Sequence, residues 1–249
     1  MPSETGDMKV LGNFRKLIDQ VSGDSSYTPS NPSLSKTALE AQYAAALASV
    51  ENVTATSAPH RKAIGERVDA FESASSMVKR SRNLLKASGA SKQVLDDAET
   101  VVRKILGRRK SPKAPPVTDV PDKPDTPENE AGANHSASQL SYDNRLGNLS
   151  GYLAILSTAT SYKPNEDDLK VASLKNLATD LRAKNDGVSA AFIPLSRARG
   201  VRDNLLYLGA DCVVNTAQLI KAYVSGANGT GSQLHKQIKG LQFKKAHGR

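Results

Sequence analysis

The residues best suited to bind a metal or attack a carbonyl are four histidines, His60, His135, His235 and His247, and one cysteine, Cys212. No two histidines lie at a metal-binding spacing, and a single cysteine allows neither a thiolate cluster nor an intrachain disulfide. No Glu-x-x-His step marks a metal site in a helical bundle. A phosphate-cradling Gly-x-x-x-x-Gly-Lys-Ser/Thr loop and a Gly-x-Ser-x-Gly elbow are both missing. Gly226-x-x-Gly229-x-Gly231 is rich in glycine but follows no strand, so it reads as a connection between helices. Cys212 stands among apolar residues and reads as core. The expectation is therefore a protein without catalytic, cofactor-binding or metal-binding residues, and not an enzyme.

Three other constellations carry charge or hydroxyls. Glu166-Asp167-Asp168 could be a carboxylate site, but acids just after Asn165 also complement the positive end of a helix dipole, with Asn165 as the cap. Tyr27 and Tyr162 each precede a proline by two residues, as expected of a ring packed over an inter-helix turn with its hydroxyl bonded. Arg67 and Arg202 each follow a glycine by two residues. With Arg61, Lys62, Arg197, Arg199, Lys244 and Lys245 they form a candidate polyanion-binding set. The competing reading is a solvated helix face, or arginines bridging to a carboxylate such as Asp69 or Asp203. Aromatics are only 4% of the chain and tryptophan is absent, too few for base-stacking platforms. Any nucleic-acid contact would fall on phosphates, with little sequence specificity.

The elements that position these residues read as helices. An apolar stripe at Leu146, Leu149, Leu153 and Leu156 has spacings of three and four. A second helix carries Val171, Leu174, Ala178 and Leu181, matched in the first half by Leu39, Tyr43, Ala46 and Val50. A third runs from near Val188 or Pro194 to about Tyr207. Pro59 and Pro194 either start this third helix in each half or kink a longer one. A fourth carries Val213, Ala217, Ile220 and Val224, with a counterpart around Met77, Ser81 and Leu85. Short amphipathic pieces at 94–106 and 234–241 complete each half.

The two halves are copies. Displaced by 135 positions, residues 11–87 fall on 146–222 without a gap and with 20 identities over the 77 positions. The identities include Leu-Gly-Asn at 11–13 and 146–148, Ser-Tyr-x-Pro at 26–29 and 161–164, and Ala-x-Gly-x-Arg at 63–67 and 198–202. These are turn and core residues, which carry a fold. Between the copies, residues 111–140 are rich in Pro, Asp and Glu and poor in apolar residues, which predicts a disordered, semi-extended linker. The net charge of +9 resolves into about −1 for 1–10, +6 for 11–110, −3 for 111–140 and +7 for 141–249, so the basic excess belongs to both copies.

The second copy resembles an uncharacterised family of bacterial all-helical hypothetical proteins. The matching stretches are Tyr162-Lys-Pro-Asn-Glu-Asp-Asp-Leu169, residues 185–208 and Gln237-Ile-Lys-Gly-Leu-Gln-Phe243. The first copy shares the resemblance only through the repeat, with Ser30-Asn31-Pro32 in place of the Pro-Asn-Glu step. The resemblance implies architecture and no activity.

The fold expected is all-α: two tandem antiparallel bundles of four to five helices each, at 11–110 and 141–249, with an N-terminal tail at 1–10, a Pro-rich linker at 111–140 and a basic C-terminal tail. The function expected is a non-enzymatic interaction or scaffold module whose partner is another protein. The alternative is nucleic-acid binding through the basic faces and the tail. The first ten residues contain no apolar run of the signal-peptide kind and no segment is apolar enough for a membrane span, so the expected compartment is the cytoplasm.

Overall fold

The structure is a computed structural model that describes residues 6–107 and 141–244. The described residues are helices and their connections, and contain no strand. Helix α1 spans Asp7–Gly23, α2 Lys36–Ala87 and α3 Lys92–Ile105. After the segment 108–140, α4 spans Tyr142–Thr158, α5 Val171–Asp203, α6 Val213–Asn228 and α7 Gln233–Ile238. A 3-10 turn precedes α2 at Pro32–Leu34 and another precedes α5 at Asp167–Leu169, while a π turn, Asn204–Leu208, ends α5. The linker expected at 111–140 lies outside the described residues.

Local chemistry explains several boundaries. Ser91, Ser141 and Ser232 cap α3, α4 and α7, each accepting from the backbone N–H three residues on. Asp167 and Asp168 fall in the 3-10 turn, with Glu166 and not Asn165 at its N-cap, and the first turn of α5 has no acid. The two aspartates turn to cations instead: Asp167 accepts from Lys170 and Asp168 pairs with Arg80. The N-terminal segment 1–10 is helical from Asp7, and Val10 is already buried on the apolar stripe of α1.

Pro59 and Pro194 lie inside α2 and α5, which settles the open alternative in favour of long helices. The fourth helix anticipated around Met77 in the first copy is the second part of α2, so that copy has three α-helices. The second copy breaks where the first continues. In the π turn, the Gly209 N–H bonds the Asn204 carbonyl at 2.9 Å, and a Cβ on Gly209 would stand 2.8 Å from that oxygen. Ala74, the equivalent residue, cannot take that position and stays buried within α2.

Helix α2 has 52 residues, a length of ~78 Å at 1.5 Å per residue. The 17-residue α1 is about a third as long and can cover only part of it. The buried apolar residues of α2 are divided between two cores, Leu39 and Ala46 in one and Phe71, Ala74, Val78 and Leu85 in the other. The chain forms two compact units, and neither coincides with a sequence copy. Unit 1 takes the described residues up to Lys62 and those from Ala190 onward; unit 2 takes 63–189. The core of unit 1 joins Phe14, Leu17 and Leu39 of the first copy to Val213, Ala217 and Ile220 of the second. The core of unit 2 joins Phe71, Val78 and Val102 of the first to Leu149, Tyr152 and Leu174 of the second. Cys212 belongs to the first of these cores and is 1% exposed.

Candidate functional site

The recurring tyrosines hold the turns before the two long helices. The Tyr27 hydroxyl donates to the Leu34 carbonyl and the Tyr162 hydroxyl to the Leu169 carbonyl, both at 2.8 Å. Each closes a loop of the same length onto a 3-10 turn. Burial pushes both phenols up to about 12, with Tyr223 adding to the effect at Tyr27 and Glu166 and Asp168 at Tyr162. These residues are structural: each ring is almost fully covered, at 3% and 6% exposure.

The recurring arginines are also engaged inside their units. Arg202 shares the buried face of α5 with Leu195 and Ala198, seven and four residues earlier. Its side chain is 11% exposed and pairs with Asp7 at 3.1 Å and Asp203 at 2.6 Å. Burial opposes its charge, but the hydrogen bond to Asp203 and the charge of Asp7 outweigh that and raise its pKa. Tyr207 completes the group, donating to Asp7 at 2.8 Å. Arg67 stacks on the Tyr142 ring, 3.9 Å from its centroid, and donates to Asn185 at 3.1 Å. Asp7 and Tyr142 are equivalent positions of the two copies. Each arginine therefore contacts the first residue of the first helix of the other copy. Asp203 is the expected carboxylate for Arg202; for Arg67 the contacts are an aromatic ring and an amide, not Asp69.

The rest of the candidate set is exposed. Arg61 and Lys62 lie on α2, and Arg197 and Arg199 on α5, all in unit 1. The rings of His60 and Phe192 are 5.5 Å apart, which places these two helical stretches side by side. Lys244 is exposed beyond α7, and Lys245 lies outside the described residues.

The same part of α5 exposes apolar side chains that periodicity alone assigned no role. Ile193 and Val201 are each 52% exposed, and with Arg197 between them they sit at spacing four on one helix face. Leu208, in the π turn that follows, is 69% exposed, and Phe192 is 45% exposed on the flank that carries Arg199. The corresponding residues of the first copy, Ala58, Glu66, Ser73 and Ser57, offer no such run of large apolar side chains.

Another cation escaped the sequence reading. Arg145 lies on the apolar stripe of α4, four residues before Leu149 and one before Leu146. It donates to the carbonyls of Ile105 and Phe71 and to the Ser75 hydroxyl, at 3.0 to 3.3 Å. Its guanidinium also lies over the Phe71 ring at 4.9 Å. Burial lowers its pKa. Its place within an otherwise apolar 3–4 repeat was the available signal. A cavity of about 10 Å³ beside it, lined by Phe71, Val78, Leu149 and Leu181 among others, is at the lower limit for one water molecule.

Among the described residues no group of three or more His, Cys, Asp or Glu side chains could hold a metal ion, and no helix is long and apolar enough to cross a membrane. No protein-family model, curated protein or solved structure matches the chain.

Proposed function

We propose that this chain is a duplicated helical interaction module, without catalytic activity, whose partner is another protein. The observation that carries the reading is the exposed stretch of α5 and its π turn: Ile193, Val201 and Leu208 interleaved with Arg197. Single exposed apolar residues are ordinary, but several on one short stretch mark a contact surface. Arg197 within the stretch and Arg199 on its flank suit a partner that combines acidic and apolar groups. In this reading the two copies together build the scaffold, and the second copy presents the contact face. Asp at both Ile193 and Val201 tests it. At exposed positions such changes leave the fold near neutral. Purification from the protein's own host should recover a protein partner with the wild-type chain and lose it with the variant. Recovery of the same partners by both would sink the reading.

The exposure of Arg61, Lys62, Arg197 and Arg199 within one unit supports a second reading, binding of a polyanion. Binding to RNA or DNA would then weaken linearly on a log–log salt plot, with a slope of roughly 0.7 to 0.9 per phosphate contact. Replacing Arg197 and Arg199 by Ala should flatten the slope without changing sequence preference. Arg67 and Arg202 are the wrong pair for this test, because both hold internal contacts. No binding by the wild-type chain at low salt would end this reading.

A further inference from the structure

We infer that each sequence copy is the binding partner of the other, and that the assembly is held by exchanged helices and not by the peptide connection at 108–140. The apolar cores carry the argument. In the core of unit 1 the first copy supplies ten buried apolar side chains and the second nine. In unit 2 the first supplies seven and the second eight. Among the described residues, neither core is built from one copy alone. Contacts of this kind resemble a domain core cut in half, which is the character of obligate interfaces.

The polar contacts obey the same exchange. The Asn228 amide donates to the Ser26 hydroxyl, and the Ser88 and Ser161 hydroxyls share a hydrogen bond at 3.2 Å. Ser26 and Ser161 are equivalent residues, and each is met by the end of a helix from the other copy. The Gln42 amide of the first copy donates to the Thr216 hydroxyl of the second at 3.0 Å. Ser81, the equivalent of Thr216, shares a hydrogen bond with the Tyr152 hydroxyl at 3.0 Å. With Arg202 on Asp7 and Arg67 on Tyr142, every one of these pairs joins one copy to the other.

The connection does not bridge two bundles. Both of its flanks, α3 and α4, belong to unit 2, and Arg145 Nε donates to the Ile105 carbonyl at 3.2 Å. The intervening chain could reach about 100 Å if extended, far more than this closure requires. A chain of this length can span the closure, and as a covalent tether it gives the two copies a high effective concentration. A second copy of this chain presents the same surfaces, so a unit can also be completed in trans.

The test uses the full chain with a site-specific protease sequence placed between residues 118 and 125 and a purification tag at one terminus. After complete cutting, the two fragments should co-elute at the 26.5 kDa of the uncut chain. The helical signal should be unchanged, and the tag should retain both fragments at equal stoichiometry. Unfolding and refolding tagged cut protein with an excess of untagged cut protein should load the tagged fragment with untagged partner. Separation of the fragments after cutting would overturn the inference, whether they emerge as folded monomers or as unfolded chains. Refolding that never exchanges partners would overturn the claim of completion in trans.

Discussion

Replacing Phe14 by Ala distinguishes cooperative units from sequence copies. Phe14 is fully buried on α1, in the core that joins α1 and the first part of α2 to α6 and α7. Truncating a buried Phe loses the transfer free energy of the ring and leaves a cavity, at a cost of about 3–5 kcal/mol. With each 1.4 kcal/mol worth a factor of ten, amide protection limited by opening of this unit should fall by roughly a hundredfold to a few thousandfold. Hydrogen exchange followed by mass spectrometry reads this peptide by peptide. Peptides from 7–62 and 213–238 should lose protection together, although 150 residues separate them. Peptides from 92–105 and 142–158 should keep theirs. Loss throughout α1, α2 and α3 with α6 and α7 intact would refute the reasoning, because the first copy would then be the cooperative unit.

Arg202→Ala leaves Asp7 and Asp203 without their cation and should lower stability by about 2 kcal/mol, a moderate figure because both acids are partly hydrated; Arg67→Ala should cost roughly 1–2 kcal/mol through its ring and amide contacts. Urea midpoints at constant slope measure both, and unchanged midpoints would return these arginines to the solvated surface. Gly209→Ala pushes a Cβ onto the Asn204 carbonyl and should cost about 1–3 kcal/mol, whereas Ala74→Gly should also destabilise, by about 1 kcal/mol or more, because that position is helical. A Gly209→Ala variant as stable as the wild type would show that the π turn does not need its glycine. The raised phenols of Tyr27 and Tyr162 give a pH dependence: the folded state holds their protons longer than the unfolded state. Stability should therefore fall as pH rises from about 10 to about 12. Ultraviolet titration should show a tyrosine class that ionises late in the folded chain and at the ordinary pH once unfolded.

The all-helical class was legible in the sequence because apolar residues recur at the helical period. The turn before each long helix was legible because Ser-Tyr-x-Pro recurs 135 residues apart, and its tyrosine does bond the turn. A repeat, however, records which residues are equivalent and not which copy each one packs against. A stripe such as Leu146, Leu149, Leu153 and Leu156 requires an apolar partner and is silent on whether Leu174 or Val78 supplies it; in unit 2 both do. Pro59 and Pro194 were compatible with a helix start or with a kink in a longer helix, and in the fold both lie inside long helices, α2 and α5. That continuity puts α2 in both cores, with Leu39 and Ala46 in one and Phe71 and Val78 in the other. The candidate surface divides in the same way. Arg67 and Arg202 look alike in sequence and like their basic neighbours, but tertiary packing takes both inside, each against the first residue of the other copy's first helix. Ile193, Val201 and Leu208 had no role in the periodic pattern, and the fold leaves them exposed. Local periodicity determines which side chains want burial, and the length and pairing of whole helices decide which of them receive it.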